Sequence, residues 1–270
     1  VNPSTSAGSR GGGAHPSPSP AGDGPMMGPN AVMMTGGLSA GPERACAPLV
    51  FTGAMVYSRL SPETHFKPAA GMILLIDNFD SFVYNLARYL EELGQECEIV
   101  RNDAISIEGI RERAPAALIL SPGPCAPESA GICIEAVREL GGELPLLGVC
   151  LGHQAIGAAY GARIVRVEPC HGKSSEILHD GEGLFDGIPN RFSAGRYHSL
   201  AVCEEDLPAE LEVSARTDDG LIMALRHKVN KVYGIQFHPE SVLTEHGHPL
   251  LEGFLRLAGI DALRPARETA

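Results

Sequence analysis

Gly148-Val149-Cys150-Leu151-Gly152 sets a cysteine between two glycines where an apolar run, Pro145 to Val149, gives way to a helical pattern. Glycines at those places let the chain turn sharply and let strand and helix approach, so the residue between them stands at a strand-to-helix elbow. A helix N-terminus beside the sulfur favours thiolate over thiol, and the thiolate is the nucleophile. A cysteine at a strand end is ordinarily a small buried hydrophobe. The other cysteines lack the glycine setting and keep that ordinary reading. Acyl transfer to a thiolate also needs a base and a group that orients the base. Gln236-Phe237-His238-Pro239-Glu240, at the end of a later apolar run, supplies both. Proline biases His238 toward an extended backbone, in which residues two apart point to one side about 6 to 7 Å from each other. Glu240 is then expected to hold one imidazole nitrogen while the other faces the sulfur. A third segment, Ser121-Pro122-Gly123-Pro124-Cys125-Ala126-Pro127, is a stiff glycine-bearing turn. The backbone N–H groups of Gly123 and Leu151 are expected to face an oxyanion from two sides.

These residues are useful only if strands and helices bring them together, and the hydrophobic pattern supplies such a frame. Met72–Ile76 is a short continuous apolar run, the signature of a strand buried on both faces. Asp80 offers an N-cap, and Phe82, Leu86, Tyr89, Leu90 and Leu93 repeat at helical spacing up to Gly94, a suitable C′ residue. A strand over 96–100, a short helix over 106–113, a strand over 116–120, a helix near 132–140, a strand over 145–149 and a helix over 153–160 follow. Such an alternation predicts an α/β fold, a doubly wound, mostly parallel sheet with helices on both faces. After Gly161 short strand-like pieces take over, at 163–167, 175–178, 200–202, 211–215, 221–226 and 231–237, before a last helix over 249–257. They predict a mixed or antiparallel C-terminal portion. Ligands in such sheets bind beyond the carboxyl ends of the parallel strands, which singles out the loops after Ile76, Leu120, Val149 and Phe237.

Composition sets the outer limits. The 270 residues carry a net charge of −12, which argues against binding a nucleic-acid backbone. No run approaches the 18 or so apolar residues of a membrane span. Residues 1–71 contain Gly11-Gly12-Gly13 and Pro16-Ser17-Pro18-Ser19-Pro20 and read as a disordered extension, leaving 72–270 as the globular domain. The extension has no basic segment followed by a continuous apolar stretch, as a signal peptide would. The chain opens on Val1, and Met55 and Met72 stand as alternative starts. Seven cysteines, odd in number and without a Cys-x-x-Cys pair, fit reduced thiols and a cytoplasmic location.

Six motifs in order resemble the class I glutamine amidotransferases. They are Asp77-Asn78-Phe79-Asp80-Ser81-Phe82, Ser121-Pro122-Gly123-Pro124, Gly148-Val149-Cys150-Leu151-Gly152-His153-Gln154, His171-Gly172-Lys173, Arg196-Tyr197-His198-Ser199-Leu200 and Phe237-His238-Pro239-Glu240-Ser241. The likeness covers about residues 72 to 260 and is strongest to the small subunits of anthranilate and aminodeoxychorismate synthases. It implies a flavodoxin-like fold and a glutaminase in which Cys150 attacks the side-chain amide of L-glutamine. His238, oriented by Glu240, then protonates the departing ammonia. The same resemblance implies that Gly123, Pro124 and Cys125 line the glutamine site, that Gln154 holds the substrate, and that Ser199 and Leu200 contact its amino-acid end. Cys125 stands where many relatives have glycine. His171-Gly172-Lys173 and the loop from Asp77 to Phe82 correspond to partner-facing segments. The globular part has no room for a second, chorismate-binding site, so a separate synthase subunit is implied as partner and ammonia acceptor.

Other readings use the same residues. The fold can serve as a non-catalytic regulatory subunit, yet nucleophile, base and orienter are all present. The triad also fits a cysteine hydrolase of a different amide. His238, Glu240, His246 and His248 suggest a zinc site, but Pro239 and the loop spacing leave no single helix or strand presenting three of them. The chemistry requires neither metal nor cofactor.

Overall fold

A computed structural model of the chain describes residues 71–262. The extension over 1–71 lies outside the described residues except for Gly71, as does the alternative start at Met55. Nine strands form one sheet in the order β2-β1-β3-β4-β9-β8-β7-β5-β6. Its first five members, β2 (Cys97–Arg101), β1 (Ile73–Asp77), β3 (Ala117–Leu120), β4 (Leu146–Val149) and β9 (Val232–Ile235), run parallel. β8 (Ile222–His227), β7 (Leu211–Thr217), β5 (Ile164–His179) and β6 (Phe192–Val202) continue it antiparallel.

Side chains alternate across a strand, so a run with no polar member must have a helix layer on each side. In β1, Ile73 and Leu75 belong to one core cluster while Leu74 and Ile76 belong to the other. The first cluster is closed by α1 (Val83–Glu92) and α5 (Gly247–Ala258), the second by α2 (Ile107–Arg113), α3 (Cys133–Leu140) and α4 (Leu151–Tyr160). Every residue of β1, β3 and β4 is buried. Burying this much aliphatic surface is the main source of stability, at about 25 cal/mol per Å². Helix ends follow local chemistry. Ser106 caps α2 by accepting from Gly109 N–H at 3.1 Å, and Gly161 leaves α4 through a left-handed φ of 101°.

The structure corrects four expectations. Phe82, not Asp80, occupies the N-cap of α1. Asp80 instead accepts from Phe82 N–H at 3.1 Å, fixing the loop just ahead of the helix. The pieces 163–167 and 175–178 are one 16-residue strand, β5, whose pairing with β6 shifts register between Arg166 and Cys170 and again between His171 and Lys173. Bulges break the alternation that would have marked a long strand, and Gly172 supplies a φ of 66° at the second. β6 begins at Phe192, not near 200, so the segment from Arg196 to Leu200 is strand. Finally, Cys97, Cys133, Cys150, Cys170 and Cys203 are free, but Cys125 is disulfide-bonded. Among the described residues, no helix is long and apolar enough to cross a membrane.

Candidate active site

The carboxyl ends of β1, β3, β4 and β9 lie side by side, and the loops leaving them build the site. β4 runs directly into α4 at Cys150, which adopts φ 51° and ψ −100°, a conformation rare outside glycine. Two backbone bonds hold it, Cys150 N–H to Ile235 O at 2.8 Å and Gln154 N–H to Cys150 O at 3.1 Å. Neighbours explain the glycines. A Cβ on Gly148 would collide with the Gly152 carbonyl, and one on Gly152 with the Leu120 carbonyl. The elbow therefore exists only with glycine on both sides, and it puts the sulfur at the N-terminus of α4.

His238 lies three residues beyond β9. Its N–H donates to Gly195 O at 3.0 Å and its carbonyl accepts from Thr244 Oγ1 at 2.5 Å. The chain does not stay extended through Glu240. Ser241 N–H donates to His238 O at 3.2 Å, closing a turn over His238-Pro239-Glu240-Ser241. Proline's fixed φ suits the second position of such a turn. The pairing expected from the extended form is nonetheless made, for His238 Nδ1 and Glu240 Oε1 are 2.7 Å apart and both residues are buried. His238 Nε2 and Glu240 Oε2 have no hydrogen-bond partner among the described residues. Burial opposes the imidazolium, but interaction with the Cys150 sulfur and with Glu240 outweighs it and lifts the His238 pKa well above its ordinary value. The rings of Phe82 and Tyr197 meet the His238 ring edge-on, with centroids at 5.3 and 4.9 Å. Asp80 reaches the same cluster, and burial raises its carboxyl pKa against the lowering effects of the Phe82 N–H and His238. The Cys97 and Cys133 thiols are pushed up by burial to about 12, which makes them inert at neutral pH.

The loop after β3 is held from below. Asn78 N–H donates to Ser121 Oγ at 2.9 Å, and Asn78 Nδ2 to Ser121 O at 2.8 Å. A Cβ on Gly123 would lie 2.5 Å from Asn78 Cβ and 2.7 Å from Leu151 Cδ2, so only glycine lets the loop lie against the start of α4. A cavity of about 130 Å³ opens between this loop, Cys150 and the β5–β6 hairpin. Gly123, Pro124, Cys125, Gln154, Ser199 and Leu200 line it together with Cys150. Leu151 is buried beneath Gly123, outside the lining, and His238 and Glu240 stand behind the sulfur. His171, Tyr197 and His198 complete the wall. None of these three, nor Phe82 or Gln236, stands among the catalytic or substrate-binding residues expected from sequence. Gln236 carried a usable signal, being the one amide in the apolar run Val232–Phe237. His246 and His248 sit elsewhere, His246 at the N-cap of α5 and His248 joined to Glu92 at 2.7 Å. Among the described residues, no group of three or more His, Cys, Asp or Glu is placed to hold a metal ion.

The fold and site together define an α/β protein with a cysteine at a strand-to-helix elbow, backed by a His–Glu pair. Residues 74–258 match the family model for glutamine amidotransferase class-I. The chain is 50% identical to aminodeoxychorismate/anthranilate synthase component 2 of Bacillus subtilis over 68% of its own length and 95% of that protein. It is 49% identical to the bifunctional protein TrpGD of Thermotoga maritima, a match that spans 73% of this chain and 34% of that longer one. A crystal structure from Thermoplasma acidophilum, of a protein named for GMP synthase, shares the fold at a TM-score of 0.63 and 24% identity, over 71% of this chain and 96% of that one. The chain belongs to the class I glutamine amidotransferase family.

Proposed function

We propose that this chain hydrolyses L-glutamine at Cys150 and hands the ammonia to a separate chorismate-binding synthase subunit that forms anthranilate or aminodeoxychorismate. The observation that carries the reading is the buried Glu240–His238 pair, 2.7 Å between Oε1 and Nδ1, behind a cysteine at a helix N-terminus. Glu240 fixes the ring so that Nε2 addresses the sulfur, and it stabilises the imidazolium. The Cys150 thiolate attacks the glutamine side-chain carbonyl carbon. The resulting oxyanion is met by the N–H groups of Gly123 and Leu151, and His238 gives its proton to the departing ammonia. A γ-glutamyl thioester remains. Water, deprotonated by His238, attacks it, glutamate leaves, and the thiolate is restored. Gln154, Ser199 and Leu200 fix the amino-acid end of the substrate, while Pro124 and Cys125 form the outer wall.

Ammonia is useful to an acceptor only while neutral, so a partner docked over the mouth of the cavity is the natural recipient. Two features support a partner face there. Phe79 is held half-exposed by a left-handed backbone with Arg101 over its ring at 4.8 Å, and Val242 is 95% exposed just beyond Glu240. The relative from Bacillus subtilis bears a name that covers both amination products. The test pairs the full chain with each candidate synthase subunit, chorismate, and either glutamine or ammonium salt. Cys150→Ala is expected to abolish glutamine-dependent product and keep ammonium-dependent product. Glutamine-dependent synthesis that survives in Cys150→Ala would overturn the assignment.

A further inference from the structure

Gln236 is wholly buried beneath the nucleophile, and its amide lies in a chain of hydrogen bonds whose every direction is fixed by chemistry. Arg196 Nε donates to His198 Nε2 at 3.1 Å. A guanidinium cannot accept, so His198 carries its hydrogen on Nδ1, which donates to Leu200 O at 2.9 Å. Burial, and next the Arg196 charge, push the His198 pKa down to about 4, keeping that ring neutral. The Leu200 carbonyl can only accept, and Gln154 Nε2 lies 2.9 Å from it, so the Gln154 amide is oriented with its NH₂ group toward that carbonyl. The same NH₂ group reaches Gln236 Oε1 at 3.1 Å. With its oxygen claimed, Gln236 must turn its own NH₂ toward the Cys150 sulfur, 3.6 Å away. An N–H aimed at sulfur is worth most when the sulfur carries charge.

We infer that Gln236 is a further catalytic residue, a fixed N–H donor to the Cys150 thiolate, whose orientation is locked by Gln154 and, through Leu200, by the His198–Arg196 pair. In the reaction it stabilises the sulfur when charged, before attack and again when thioester hydrolysis releases it. This rests on the glutaminase reading for its place in turnover, but the effect of the donor on the sulfur can be read without substrate.

The test is the thiolate absorbance near 240 nm of the full chain at pH 7, taken as the part lost on alkylation and corrected with Cys150→Ala protein. Gln236→Met keeps the volume and removes the donor. It is expected to lose most of the Cys150-dependent absorbance, to react with iodoacetamide about tenfold more slowly, and to lower kcat about tenfold with KM within about twofold. Circular dichroism and a thermal melt establish that the variant is folded. If it does not fold, Gln154→Met serves instead, because it leaves Gln236 in place and frees its amide to turn. A partial loss of the same absorbance is then expected. Full absorbance in a folded Gln236→Met, or in Gln154→Met where the first does not fold, overturns the inference, as does an unmodified protein without Cys150-dependent absorbance. Absorbance that depends on Gln236 in a chain that releases no glutamate from glutamine would overturn the functional reading alone.

Discussion

At the scale of the residue, the site gathers groups whose ordinary chemistry has been changed by placement. His238 gains affinity for a proton, whereas His153, one turn into α4, loses it. His153 is fully buried against Gly234, and burial pushes its pKa down to about 3. In the unfolded chain the same ring titrates near 6.5. Below that value the unfolded state binds a proton that the folded state refuses, so His153 draws stability away as pH falls from about 6.5 toward 3. His198 acts in the same sense down to about 4, whereas His238, raised, contributes stability that is present below about 6.5 and lost as pH rises above it through the folded value. Each depressed ring adds a slope of up to about 1.4 kcal/mol per pH unit inside its window. Replacing His153 with leucine removes its share. The difference in unfolding free energy between His153→Leu and the parent, from urea titrations, is expected to move in the variant's favour as pH falls from 6.5 to 4. A difference that stays constant would show that His153 is not held neutral.

At the scale of the element, the site depends on how closely β4, α4 and β3 approach. Gly152 is the tightest point, since a methyl there meets the backbone carbonyl of Leu120, which belongs to a buried strand and cannot yield. Gly152→Ala is expected to cost about 3 kcal/mol and to lower the melting temperature by roughly 10 °C. An unchanged melting temperature would mean that the elbow has slack the geometry does not show. The parallel strands and their helices were legible in the sequence because their signals are local: continuous apolar runs, helical spacing, glycine at helix ends. The elbow was legible for the same reason, as two glycines around a cysteine. The β5–β6 hairpin was not, because its bulges at Arg166/Cys170 and His171/Lys173 interrupt the period-two pattern. The turn at Pro239 was not legible because proline biases only its predecessor, whereas the bond from Ser241 N–H to His238 O is set by the surrounding fold. Gln236 escaped because its role depends on partners, Gln154 and Leu200, that are 82 and 36 residues away along the chain.

At the scale of the whole molecule, a half-parallel, half-antiparallel sheet puts Cys150 on one side of a shared edge and the cavity wall on the other. β4 delivers Cys150, β9 leads to His238, and the β5–β6 hairpin curls Tyr197, His198, Ser199 and Leu200 over them. The Leu200 carbonyl ties the two halves together, accepting from Gln154 on α4 and from His198 within β6. The site therefore assembles only when both halves fold as one sheet. The proposed reaction requires Cys150 to be acylated by the side chain of glutamine. The most direct measurement exposes the full chain to a γ-diazoketone analogue of glutamine and locates the adduct by peptide mass spectrometry. A single adduct on the peptide that carries Cys150, suppressed by excess L-glutamine, is the predicted result. No adduct at Cys150, or one that glutamine does not suppress, would contradict the account.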